Sequence, residues 1–414
     1  MENNLKFPKG FYWGVATSSH QVEGDNHNDW TEWEKKNADR LAKEAKNKWQ
    51  KWQQEKFPEM FDPQNYISGR ACDHYNKFEE DFDIAKQLGH NAHRFSIEWS
   101  RVEPEEGKFN GKEIEHYREV VKALRERGIE PFVTLWHWTL PLWISERGGW
   151  ANKDTVEHFL KYVFKITHAL NDVKFWITLN EPDDIYAFDA YFVGRFPPQK
   201  KSLIKTIRVL NNLIKAHKKS YKIIHQNNSS AIVGFANNVI NFEAYKNRFL
   251  NKIMKIFADY FWNFWFFKKT FGYHDFIGCS YYHHNRINFG YKKNENKNIS
   301  DIGWEICSEG IYHVLKDLKK YNLPIYITEN GIADVKDEKR ADFIKEHLRW
   351  IHKAISEGTD VRGYIHWSLL DNFEWDKGFG PRFGLVEMDY QTMERKIRPS
   401  ALEYKKIIEN NGII

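Results

Sequence analysis

The chain has 414 residues, enough for one large domain or two ordinary ones, with 41% apolar and 29% charged residues and a formal net charge of +5. The densest charged stretch, 34–56, alternates in sign and predicts a solvated helix rather than a nucleic-acid tract. Three cysteines cannot build a paired framework, and MENNLKFPKG lacks the basic start and apolar core of a signal peptide, so a reducing, cytoplasmic setting is expected.

In chain order, 11–17 reads as an apolar strand that runs into SSHQVEG and then a polar insertion, 25–69. Residues 78–89 place apolar side chains at helical spacing and end in glycine, predicting a helix with its stop; 116–128 repeats the pattern. Strands are predicted at 90–97, 130–136, 173–179, 231–237, 275–282, 323–328 and 361–368, and helices at 155–170, 203–226, 308–321, 338–358 and 400–407. The aromatic stretch 257–267, FADYFWNFWFF between lysines, is too short to span a membrane and is interrupted by Asp259 and Asn263. A helix packed by its rings on the protein body and an interfacial anchor both fit it, the former being the commoner outcome.

Eight apolar strands alternating with helices, without a linker or composition break, predict a single α/β domain over 1–414, a (β/α)₈ TIM barrel. Its site would lie at the C-terminal strand ends, and length beyond the ordinary ~250 residues would go into long βα loops. A doubly wound sheet would want a glycine-rich phosphate turn after the first strand, and SSHQVEG is not one. Two strand ends carry an unexpected charge: ITENG delivers Glu329, and VKFWITLNEP delivers Glu181. Buried carboxylates are rare unless paired. Two of them facing one pocket is the arrangement that glycosidic-bond cleavage requires, one giving a proton to the leaving oxygen and one serving the anomeric carbon. The 17 tryptophans are mostly core, but flat rings also pack on the C–H faces of sugars.

The motifs FPKGFYWGVATSSHQVEG, HNAHRFSIEWSR, TLWHWTLP, ITLNEP, DFIGCSYY, YITENG and WSLLDNFEWDKGFGPRFG, in this order, resemble glycoside hydrolase family 1, the retaining β-glucosidases and β-galactosidases. The resemblance implies Glu329 as nucleophile, Glu181 as acid/base, Arg94 as the cation beside the nucleophile and Tyr282 as its hydrogen-bond donor. It implies sugar recognition by Gln21, His137, Trp138, Asn180, Trp367, Glu374, Trp375 and Phe383. It also implies a small β-linked oligosaccharide or an aryl or alkyl glycoside as substrate, with no cofactor, metal or nucleic acid. Lys377 is expected to point away from the pocket. Ser280 and Thr139 depart from the family pattern, which commonly has asparagine and aspartate there. Both glutamates being present argues against a sugar-binding relative without turnover, and Glu181 against a thioglucosidase; a transglycosylase would share every residue named.

Overall fold

Eight parallel strands close into a barrel in the computed structural model, which describes residues 5–290 and 293–414. They are β1 (Tyr12–Ala16), β2 (Ala92–Ser96), β3 (Glu130–Thr134), β4 (Phe175–Asn180), β5 (Ile232–Asn238), β6 (Ile277–Ser280), β7 (Ile325–Asn330) and β8 (Val361–Trp367). Each pairs with its neighbours in chain order, and β8 returns to β1 with Gly363 opposite Tyr12. Such strands are covered by helices outside and by packed side chains inside. That is why they read as continuous apolar runs instead of alternating ones.

Outside lie α2 (His74–Gln87), α3 (Gly111–Glu126), α4 (Thr155–Ala169), α5 (Leu203–Asn227), α6 (Phe249–Ala258), α7 (Glu309–Leu318), α8 (Arg340–Ser356) and α9 (Pro399–Glu409); α1 (Asp29–Lys48) belongs to the loop after β1. Gly89 and Gly128, just past α2 and α3, adopt φ of 81° and 70°, the left-handed stop that glycine permits without strain. Inside, the rings of Tyr12, Phe132, Phe175 and Tyr326 fill the N-terminal end of the barrel, with Phe132 and Phe175 stacked at 4.1 Å. This plug leaves the C-terminal end as the place for a site.

Two expectations need correction. The stretch 34–56 is not one solvated helix: the helix ends at Lys48 and a second runs over Lys51–Lys56, and Glu34, Ala38, Leu41, Ala42 and Ala45 are buried, with the Glu34 carboxylate accepting from the Ser68 backbone and hydroxyl. The stretch 257–267 is not uniformly packed either. Phe266 and Phe267 are buried, but Phe257 and Phe261 are 60% and 59% exposed. Among the described residues no helix is long and apolar enough to cross a membrane.

Candidate active site

Glu329 is the fifth of six residues in β7, and Glu181 follows β4 directly. Both strands lose register near the carboxylate, β7 against β6 between Ile327 and Glu329 and β4 against β5 between Ile177 and Asn180. Irregularities of this kind re-aim a side chain. Here they deliver both glutamates to one pocket at the barrel's C-terminal mouth. Backbone strain collects around it: Glu181, Trp138 and Trp375 have φ of 42°, 79° and 50°, each in the left-handed region that costs a non-glycine residue about 1–3 kcal/mol.

The two carboxyls are held in opposite ways. Glu329 Oε1 accepts from Nη1 of Arg94, a buried ion pair, and Oε2 accepts from the Tyr282 hydroxyl at 2.6 Å. Burial and the charge of Glu329 push the Tyr282 phenol well above its ordinary range, so it stays a donor. Glu181 has no cation of its own, and its Oε1 is buried without a hydrogen-bond partner among the described residues. Burial, then the like charge of Glu329, push its carboxyl well above the usual carboxylate range. Arg94 pulls it back, Glu374 adds to the rise and the Ser280 hydroxyl moderates it. One carboxyl is thus fitted to be an anion and the other to carry a proton.

Around the pair the hydrogen bonds fix donors for a ligand. Arg94 can only donate, and its Nη2 meets Asn180 Oδ1 at 2.6 Å. The Asn180 amide therefore turns Nδ2 toward His137 Nε2, 3.0 Å away. Burial, then Arg94 and His20, keep His137 far below its usual pKa and neutral, so Nε2 accepts and Nδ1 carries the proton. Nδ1 is buried and unpartnered among the described residues, on a ring that lines the pocket. The Trp138 indole fixes the loop by donating to the Asn180 carbonyl at 2.9 Å. Gln21 donates to Asn372 and Phe373 and accepts from Ser18 at 2.7 Å, leaving its carbonyl a second lone pair. Burial raises Glu374 to about 7, and its Oε2 is unpartnered among the described residues. Trp367, Trp375 and Phe383 complete the walls.

Three comparisons bear on this geometry. Residues 3–277 and 261–413 match the profile of Glycosyl hydrolase family 1. The chain belongs to that family. Beta-glucosidase A of Thermotoga maritima is 34% identical over 467 residues, 99% of each chain. A beta-galactosidase of Pyrococcus woesei is 30% identical over 515 residues, 98% of each. The solved beta-glycosidase from Pyrococcus horikoshii superposes with a TM-score of 0.88 at 38% identity, over 99% of this chain and 96% of that one. The protein is accordingly a glycoside hydrolase with a (β/α)₈ barrel.

As a family 1 member it assembles every residue named from sequence. Eleven of the twelve line the pocket, and Arg94 stands behind Glu329. Lys377 is the exception to expectation: it lines the pocket, with Nζ 3.3 Å from Asp376. Arg195, ion-paired to Asp189, lies at the same end and went unrecognised, because it sits in a loop with no periodicity. Trp304 was missed too; its ring lies 5.6 Å from Tyr282 and stacks on His283 at 5.0 Å. The signal that could have found it is a lone tryptophan in a polar, irregular loop. At the departures, Thr139 donates to the buried Glu98 at 2.9 Å, and Ser280 lies 3.3 Å from the Thr328 hydroxyl. Away from the pocket, donor atoms of Glu243, His284 and Cys307 lie within 4.8 Å of one another. A cation is already there, since Arg286 binds Glu243 at 2.8 Å and Glu305 at 3.1 Å.

Proposed function

We propose that this chain, working as one catalytic domain over 1–414 in a reducing, cytoplasmic setting, is a retaining exo-β-glycosidase for small β-glucosides and β-galactosides. The observation that carries the reading is the opposed pair: Glu329 bound by Arg94 and Tyr282, and Glu181 pushed toward its protonated form in the same pocket. Glu329 attacks the anomeric carbon while Glu181 gives its proton to the departing glycosidic oxygen, leaving a glycosyl ester on Glu329. That ester removes the negative charge that raised Glu181, so the now ionised Glu181 can take a proton from the incoming water. The second N–H of Asn180 is available to the sugar 2-hydroxyl, and His137 Nδ1–H, Gln21 and Glu374 to the others.

Glu374 can accept from the 4- and 6-hydroxyls with the 4-hydroxyl equatorial or axial, which supports acceptance of both sugars. Arg195 and Lys377 do not turn this end into a phosphate site. Both cations are already paired, Arg195 with Asp189 and Asp376 and Lys377 with Asp376, so neither is left to neutralise the charge a phosphate would bring. The test is ¹H NMR of the first sugar released from nitrophenyl β-glucoside and β-galactoside, with the 6-phospho-β-glucoside as a third substrate. The β-anomer first, from both neutral sugars and at higher kcat/KM than from the phosphorylated one, is expected. The α-anomer first would refute the retaining reading, and a preference for the phosphorylated sugar the reading of Glu374.

A further inference from the structure

The charge of this chain is unevenly placed, which the small net +5 conceals. Between Asp189 and Asp275 lie 15 lysines and arginines and only two acids, Glu243 and Asp259; the rest of the chain holds 47 basic residues against 57 less those two, an acidic excess. Exposed apolar side chains concentrate in the same fifth of the chain. Of 17 large ones exposed among the described residues, 12 fall there.

Helix α6 shows what this does locally. Its inner side, with Met254 and Ala258, packs on the small cluster of Ile240, Phe242 and Ile287. Its outer side repeats at helical spacing: Phe249, Ile253, Ile256 and Phe257, with Phe261 a turn further on and its ring parallel to that of Phe257. Phe249 is 75% exposed and Ile256 67%. A helix apolar on two sides needs two partners, and among the described residues the fold supplies one. Leu203, Ile204 and Ile207 point outward from the first turns of α5 as well. Exposed cations accompany both apolar sets: Lys201, Lys205 and Arg208 at α5, and Arg248, Lys252 and Lys268 around α6.

We propose that this face docks on an anionic lipid surface, lying on it without crossing it. Phenylalanines and isoleucines would enter the boundary between headgroups and acyl chains, while lysines and arginines, extending along their aliphatic stems, reach the phosphates. The other occupants fit less well. A second copy placed face to face would oppose like charges. A nucleic acid would satisfy the cations but leave the aliphatic stripe without a partner. The proposal does not depend on the catalytic reading, because none of the residues it needs touches the reacting carboxyls.

The experiment is co-sedimentation of the full-length protein with phosphatidylcholine vesicles, with and without phosphatidylglycerol at about one lipid in three. Two variants accompany it, Ile256→Ser with Phe257→Ser, and Lys201→Gln with Lys205→Gln and Lys252→Gln. Hydrolysis of an aryl glycoside, unchanged in both, reports folding. The proposal expects binding to the anionic vesicles, little to the neutral ones, and partition coefficients on the order of tenfold lower in each variant. No binding to anionic vesicles, or undiminished binding by the serine variant, would overturn it. So would a dimer that the serine substitutions dissociate, or tighter binding to RNA than to vesicles.

Discussion

Arg94 is the residue on which the two glutamates diverge. It is buried, bonds the Glu329 carboxylate directly and reaches Glu181 only through space, so it stabilises one anion more than the other. Because the charge of Glu329 is a leading cause of the rise at Glu181, removing that charge has a definite sign. In Glu329→Gln the Glu181 carboxyl loses a repelling neighbour and keeps the attraction of Arg94, so its pKa falls. Carbon-detected NMR titration of glutamate carboxyls, assigned with Glu181→Gln, should show the Glu181 signal titrating at lower pH in the variant than in the parent. In the parent, kcat/KM should decline on the alkaline side as Glu181 loses its proton. An unchanged or raised Glu181 titration in Glu329→Gln would mean that burial alone sets its pKa. The carboxyl pair was legible in the sequence because a glutamate at the end of an apolar run is a visible anomaly. Arg195 and Lys377 were not, because nothing in a loop's composition tells which way a long cationic side chain turns.

The strands were legible as elements for the same physical reason that makes them a barrel: buried on both faces, each is a short continuous apolar run with a turn signal at its end. What their sequences do not show is how closely neighbouring backbones approach. Gly331, just past β7, is a case. A β-carbon there would lie 1.9 Å from the Trp367 carbonyl oxygen of β8. Alanine must push the ends of β7 and β8 apart, and Glu329 is two residues away. Gly331→Ala is therefore expected to cost about 1–3 kcal/mol of stability, as overpacking does, and to lower kcat more than it raises KM. Gly111→Ala, whose methyl meets nothing within 4 Å, is the control and should leave activity unchanged. Steady-state kinetics and urea unfolding of the two variants decide it; normal kcat in Gly331→Ala would show that the strand ends are not held in register by this contact. α6 was not among the helices expected from the sequence, and its outer face was not readable there either. An apolar stripe looks the same whether the fold covers it or leaves it to another surface.

Across the whole molecule the ends of the chain lock the barrel's seam between β8 and β1. Leu5 pairs with Ile413, the Trp13 indole donates to Asn411 at 2.9 Å, and Arg395 reaches back to Asp81 at 2.8 Å. At the centre of this closure Asp371 is fully buried and accepts from Arg398 at 2.7 Å and from the Gly384 backbone at 2.9 Å. Replacing it strands a buried guanidinium, a loss of about 3–5 kcal/mol for a broken buried pair. Asp371→Ala should lower the midpoint of urea unfolding markedly, and a midpoint equal to the parent's would show that the closure does not rest on this pair. All of this architecture serves one chemical claim, that Glu329 becomes covalently bonded to the sugar. The measurement that tests it most directly is trapping with a 2-deoxy-2-fluoro-β-glucoside bearing a good leaving group, followed by peptide mapping. One sugar per chain is expected, on the peptide containing Ile327-Thr328-Glu329 and attached at Glu329. A label on any other carboxylate, or an enzyme that turns over natural glycosides but is never labelled, would contradict it.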